Sequence, residues 1–229
     1  MLADIHISLM QNNCYMLNIQ RFVVNPFQEN CYVIYDETKE AVIIDCGAFY
    51  PEERSAIVKF ICDNELSPRH LIATHGHVDH NFGNDTVFSA FGLLPEVHKK
   101  DAGLMSQLSE QAMAFCQHEI SGNVPAVGAF FADGDNIAFG VHKLAVIPTP
   151  GHTPGSVFFY CEEEGTAFSG DTLFKMSIGR TDLWEGSYED LVLSLNRLKA
   201  LLAGETVILP GHGPQTTMAD ELRANPYLR

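Results

Sequence analysis

Basic residues are scarce in this chain: 14 Lys and Arg stand against 29 Asp and Glu in 229 residues, a formal charge of −15. Binding along a phosphate backbone needs clustered Lys and Arg, so nucleic acid is not an expected partner. No run of about 18 apolar residues occurs, which excludes a helical membrane span. A secretory leader needs a basic start and an uninterrupted apolar stretch, whereas residues 1–20 carry Asp4, His6, Gln11, Asn12 and Asn13. There is no CxxC pair. Cys14, Cys31, Cys46, Cys62, Cys116 and Cys161 are widely spaced, which argues against a zinc ribbon or a redox dithiol. They read as small buried hydrophobes without a disulfide framework, in a reducing compartment. Together these absences predict a cytoplasmic protein; nothing in them bears on oligomeric state.

What is present suits one sizeable core, since 46% of the residues are hydrophobic. A single domain is expected over residues 16–229. Residues 1–15 precede a second methionine, Met16, and read as an N-terminal extension dispensable for activity. Strand-like patterning begins near Asn18. Residues 31–36 and 41–45 read as a hairpin about a charged turn, followed by a helix over 52–64 with apolar residues at helical spacing. A strand is expected at 70–74, a helix over 84–91 capped by Asn84 or Asp85, and a strand at 96–98. Residues 101–118 predict one amphipathic helix and 122–129 a loop. Strands follow at 136–139 and 144–147, a second hairpin at 157–161 and 166–169, a helix over 188–202, a last strand at 207–209 and a last helix over 218–225.

The chemistry is concentrated in Thr74-His75-Gly76-His77-Val78-Asp79-His80, directly after the apolar run Leu71-Ile72-Ala73. Histidines at i and i+2 on extended backbone project to one side and can hold one ion together. Asp79 and His80 leave in another direction and suit a second ion roughly 3.5–4 Å away. His98, His118 and His142 have no ligand-like neighbours and are assigned to structure or solvent.

This HxHxDH loop after a strand resembles the metal loop of the metallo-β-lactamase fold superfamily. The further motifs of that family follow in order: Pro150-Gly151-His152-Thr153-Pro154-Gly155, then Ser169-Gly170-Asp171, then Pro210-Gly211-His212-Gly213. The resemblance spans roughly residues 21–229. It implies an α/β, four-layer αββα sandwich, with two mixed sheets face to face and helices outside. It also implies two divalent ions, with Zn the first choice and Fe or Mn alternatives. One ion would take His75, His77 and His152, the other Asp79, His80 and His212, with Asp171 bridging. Asp79 would also assist catalysis, and Asp45 would support the metal loop through hydrogen bonds. Such a pair of ions acidifies water and polarises a carbonyl, hence metal-dependent hydrolysis.

The loop Gly179-Arg180-Thr181-Asp182 resembles that of glyoxalase II-type hydrolases, which cleave hydroxyacyl thioesters, and the short segment after His212 resembles their single-domain branch. The implied substrate is a small anionic thioester held by Lys175 or Arg180, although Arg180 is better suited to pairing with Asp182 or the loop backbone. Related alternatives are a mononuclear iron persulfide dioxygenase and a hydrolase of another ester, lactone or lactam.

Overall fold

The computed structural model of the protein describes residues 16–117, 120 and 124–228. The expected extension at 1–15 and His118 lie outside the described residues. Two six-stranded sheets pack face to face. The first runs β1 (Asn18–Val24), β2 (Glu29–Tyr35), β3 (Glu40–Ile44), β4 (Ser67–Ile72), β5 (Pro95–His98), β6 (Ala129–Phe131). Its first three strands are antiparallel and the rest parallel.

The second sheet is built from β7 (Asn136–Phe139), β8 (His142–Pro148), β9 (Val157–Cys161), β10 (Thr166–Gly170), β13 (Val207–Pro210) and β14 (Thr216–Thr217), in the order β14-β13-β10-β9-β8-β7. It is antiparallel except where β10 meets β13. A small hairpin, β11 (Leu173–Phe174) and β12 (Ser177–Ile178), follows β10.

Period-two alternation decides the layering, because successive strand residues face opposite ways. In β2 and β3, Tyr32, Ile34, Val42 and Ile44 point into the space between the sheets, meeting Val146, Phe159 and Phe168 of the second. Their neighbours Cys31, Val33, Ala41 and Ile43 point outward onto Ile57 and Ile61 of α1 (Pro51–Asp63) and Val87 of α2 (Asn84–Phe91). On the far side, Phe158, Ala167 and Ile208 meet Leu191, Leu195 and Leu198 of α5 (Tyr188–Leu201) and Met218 of α6 (Met218–Ala224). Strands covered on both faces are apolar throughout, which is why these read as continuous hydrophobic runs. The result is the four-layer αββα sandwich. Among the described residues no helix is long and apolar enough to cross a membrane.

The structure differs from the sequence reading in several places. The single helix expected over 101–118 is a 3₁₀ turn at Lys99–Asp101, α3 (Ala102–Ser106) and α4 (Leu108–Cys116), broken at Gln107. The break lets Leu104 pack at Gly76 while α4 turns Gln111 onto the same loop. Helix α2 begins after Gly83 without a side-chain cap: Asn84 donates to Asn81, and Asp85 accepts from Arg54. Ala129, expected in a loop, opens strand β6, too short to announce itself by alternation. Of the cysteines, Cys31, Cys46 and Cys161 are buried as expected, but Cys62 is exposed. His142 is buried between Asp36 (3.1 Å) and Glu164 (3.2 Å), a structural position.

Candidate metal centre

Each sheet brings candidate ligands to the same end of the sandwich. Strand β4 ends at Ile72, and the loop after it closes in a 3₁₀ turn at Val78–His80. From the second sheet come His152, beyond β8, Asp171, immediately after β10, and His212, after β13. The structure groups these side chains as His75, His77 and His152; His75, His80 and Asp171; and Asp79, His80 and His212, with donor atoms within 4.8 Å in each set. Asp171 lies between the histidines, its Oδ1 3.4 Å from His80 Nε2 and its Oδ2 3.6 Å from both His152 Nε2 and His212 Nε2.

Hydrogen bonds at the backs of the rings fix which nitrogen faces inward. His152 Nδ1 donates to the Arg180 carbonyl (2.7 Å), and His212 Nδ1 donates to the Phe27 carbonyl (3.0 Å). His80 Nδ1 donates to Asp45 (3.0 Å). Thr74 Oγ1 donates to Asp45 (2.7 Å) and is thereby left to accept from His75 Nδ1 (3.1 Å). Each of these four rings therefore aims its Nε2 into the centre. His77 is turned the other way, its Nδ1 2.9 Å from His152 Nε2.

Buried polar atoms are normally hydrogen-bonded. Here His75 Nε2, His80 Nε2 and Asp171 Oδ1 are buried and make no well-formed hydrogen bond within the protein. Converging unpaired imidazole and carboxylate donors are the chemistry that divalent cations require.

The electrostatics divide the rings into two sets, His75 and His77 lowered, His80 and His212 raised. Burial, aided by neighbouring rings, pushes His75 well below the usual histidine range and His77 down to about 4, so both present lone pairs at neutral pH. Burial would also depress His80, but Asp171, Asp79 and Asp45 outweigh it and hold the ring above its ordinary range. Burial would raise Asp171 and Asp79, yet His80 and His212 keep both carboxylates below theirs. Behind His80, at 3.9 Å, Glu29 is fully buried, and burial holds its pKa well above the usual carboxylate range.

The loop backbone is held from five places. Asp45 accepts from Thr74 N (2.7 Å), and Asp101 accepts from Gly76 N (2.8 Å). Gln111 accepts from Val78 N (3.0 Å) and donates to the Gly76 carbonyl (3.2 Å). Asn81 donates to the carbonyls of His75 and His77, and Asn25 to that of Asp79. Asp101 also accepts from Thr153 Oγ1 (2.7 Å) and Gly155 N (2.6 Å), tying the loop of His75 and His77 to that of His152. Of these supports the sequence pointed only to Asp45. Asn81 adjoins the motif, but Asn25, Asp101 and Gln111 carry no local signal. Gly211 is required where it is, because a Cβ there would collide with Asp171 Oδ1 and His80 Cε1.

A cleft of about 250 Å³ opens over the cluster, with His77, Asp79, His152, Asp171 and His212 in its floor and Phe27, Phe115, Leu183 and Arg180 in its walls. Arg180 is there, but its guanidinium is taken by Asp182 in two bonds of 2.7 and 2.8 Å. Lys175 sits in the exposed turn between β11 and β12 and does not line the cleft.

A two-sheet αββα sandwich with this histidine and aspartate cluster at one end defines a metal-dependent hydrolase. The chain belongs to the metallo-beta-lactamase superfamily, whose family pattern matches residues 24–212. It is 35% identical over 219 residues to hydroxyacylglutathione hydrolase GloC of Haemophilus influenzae, covering 93% of this chain and 98% of the relative. Among solved structures, BLEG-1 B3 metallo-beta-lactamase superposes with a TM-score of 0.83 at 33% identity, covering 93% of this chain and 99% of the other. TTHA1623 in a di-iron-bound form superposes with a TM-score of 0.79 at 34% identity, covering 91% and 99%.

Proposed function

We propose that this protein is a dinuclear thioester hydrolase of the hydroxyacylglutathione hydrolase type. The observation that carries this is the position of Asp171, whose two oxygens reach histidines of both sets. His75, His77 and His152 would hold one cation, Asp79, His80 and His212 the other, and Asp171 would be shared. A pair of cations held there would supply Lewis acidity, which lowers the pKa of bound water to about 7 and polarises a carbonyl. Zn is our first choice of metal; the di-iron form of TTHA1623 keeps iron in contention.

The chain's own groups do the rest. The back-of-ring hydrogen bonds hold the rings in one orientation, so the site is organised before substrate arrives. Asp79 lies in the cleft floor with Oδ2 3.3 Å from His212 Nε2, on the side of the proposed cation, and its other oxygen would receive the proton of an attacking water. A thiolate leaving group is a soft ligand and suits such a site better than an alkoxide. The near full-length similarity to GloC supports a thioester. The similarity to BLEG-1 favours a second reading, lactam hydrolysis.

One experiment separates them: S-lactoylglutathione and a chromogenic cephalosporin offered to the same metal-loaded preparation, with His77→Ala alongside. The expected result is thioester turnover, weak or absent cephalosporin turnover, and loss of metal and activity in H77A. Cephalosporin turnover alone would replace this reading with the second.

A further inference from the structure

We infer that the substrate is a thioester with an uncharged, apolar arm, seated on an aromatic wall formed by Phe115, Leu183 and Trp184. This rests on the thioester reading and names the substrate class for the same cleft. Phe115, at the end of α4, and Leu183 line the cleft directly. Trp184 extends the wall outward, its ring 6.1 Å from that of Phe115. Both aromatic rings are conspicuously open, Phe115 43% and Trp184 53% exposed. An exposed aromatic pair contiguous with a catalytic cleft is where binding of an apolar group would remove surface from water.

Charge points the same way. Among the described residues the cleft has one cation in its walls, Arg180, and Asp182 neutralises it through both of its nearer nitrogens. Lys175, the other cation considered for an anionic arm, stands outside. The chain as a whole carries −15. An anionic thiol carrier would find Arg180 already paired and, among the described lining residues, no second cation beyond the candidate metal centre. Size agrees too: about 250 Å³ lies below the roughly 300–1,000 Å³ typical of pockets that enclose drug-sized ligands, so part of the substrate must lie along the rim.

Trp184 is the chain's one tryptophan, which makes its emission a report on this wall alone. Metal-loaded protein is titrated with two thioethers that cannot be hydrolysed, S-benzyl-N-acetylcysteamine and S-methylglutathione, while Trp184 fluorescence is followed. Phe115→Ala is tested beside the native chain, and kcat/KM is measured for S-phenylacetyl-N-acetylcysteamine and S-lactoylglutathione. We expect the benzyl thioether to shift the emission and bind about tenfold tighter than the glutathione compound. F115A should erase that advantage and raise KM for the phenylacetyl thioester several-fold, with kcat little changed.

Tighter binding of S-methylglutathione, or F115A leaving the preference intact, would overturn the inference. So would an emission that depends on protein concentration and ignores both thioethers, which would assign the wall to a second copy of the chain. The binding arm needs no turnover. Thioethers discriminated as expected by a protein that hydrolyses neither thioester would uphold the wall's apolar specificity and sink the thioester reading instead.

Discussion

Asp101 shows how much of this centre depends on a residue that touches no candidate ligand ring. Its carboxylate is fully buried and accepts from Gly76 N, Thr153 Oγ1 and Gly155 N, three donors on the two loops that carry His75, His77 and His152. Asp101→Asn keeps the shape but turns an amide NH₂ toward groups that are themselves donors. We expect metal affinity to fall about 10–100-fold, measured by competition with a chromophoric chelator, with the far-ultraviolet circular dichroism unchanged. Affinity within twofold of the native protein would show that the loops hold their places without it. Asp101 was not legible in the sequence, where it reads as the start of a helix 21 residues past His80. His75, His77, Asp79 and His80 were legible because metal chemistry restricts residue types and a short loop restricts spacing, and His152, Asp171 and His212 followed from the family resemblance; a bond that spans two distant loops leaves neither mark.

Strand pairing supplies the frame at the next scale, and one pair should make it sensitive to pH. His70 on β4 and Glu96 on β5 meet at 2.7 Å across parallel neighbours that lead to the metal loop. The hydrogen bond to Glu96 raises the His70 pKa above its ordinary value despite partial burial. A raised folded-state pKa contributes stability that is fully present below the unfolded value of about 6.5 and is lost as pH rises through the folded one. Glu96→Gln should therefore destabilise by about 0.5–1 kcal/mol at pH 6 and by almost nothing at pH 9, read from denaturant midpoints. An equal loss at both values would mean that the pair acts through packing.

Helix α5 makes a comparable link: Ser194 Oγ donates to the Pro150 carbonyl (2.7 Å) and Ser187 N to that of Gly151 (2.8 Å), holding the loop of His152. Ser194→Ala should cost about 1 kcal/mol, visible as a melting temperature roughly 2–4 °C lower. An unchanged melting temperature would show that Ser187 alone secures the loop. Most helices and strands were readable because their apolar periods are clear. The bend at Gln107 was not, since the apolar residues of the run from 101 to 118 keep helical spacing through it.

Over the whole molecule, the centre is a seam. The first sheet contributes His75, His77, Asp79 and His80, the second His152, Asp171 and His212, and the two meet where the inner faces share one apolar core and Asp101 ties the loops. Strand order within each sheet could not be read from the chain, because β6 is too short to announce itself and the crossovers depend on packing. The resemblance carried by the motifs nevertheless implied the layered fold that is observed. Cations bound across the seam would join the two halves, so chelation should lower the melting temperature as well as activity. An apo protein that melts with the holoprotein would show that the core alone fixes the seam.

The most direct test of the central claim is metal content and thioester hydrolysis measured on one preparation, before and after complete chelation and after return of Zn, Fe or Mn. The account predicts about two equivalents of metal per chain, hydrolysis that disappears on chelation, and hydrolysis that returns only as both equivalents do. Full thioester hydrolysis by the chelated protein, or full activity with a single equivalent bound, would contradict it.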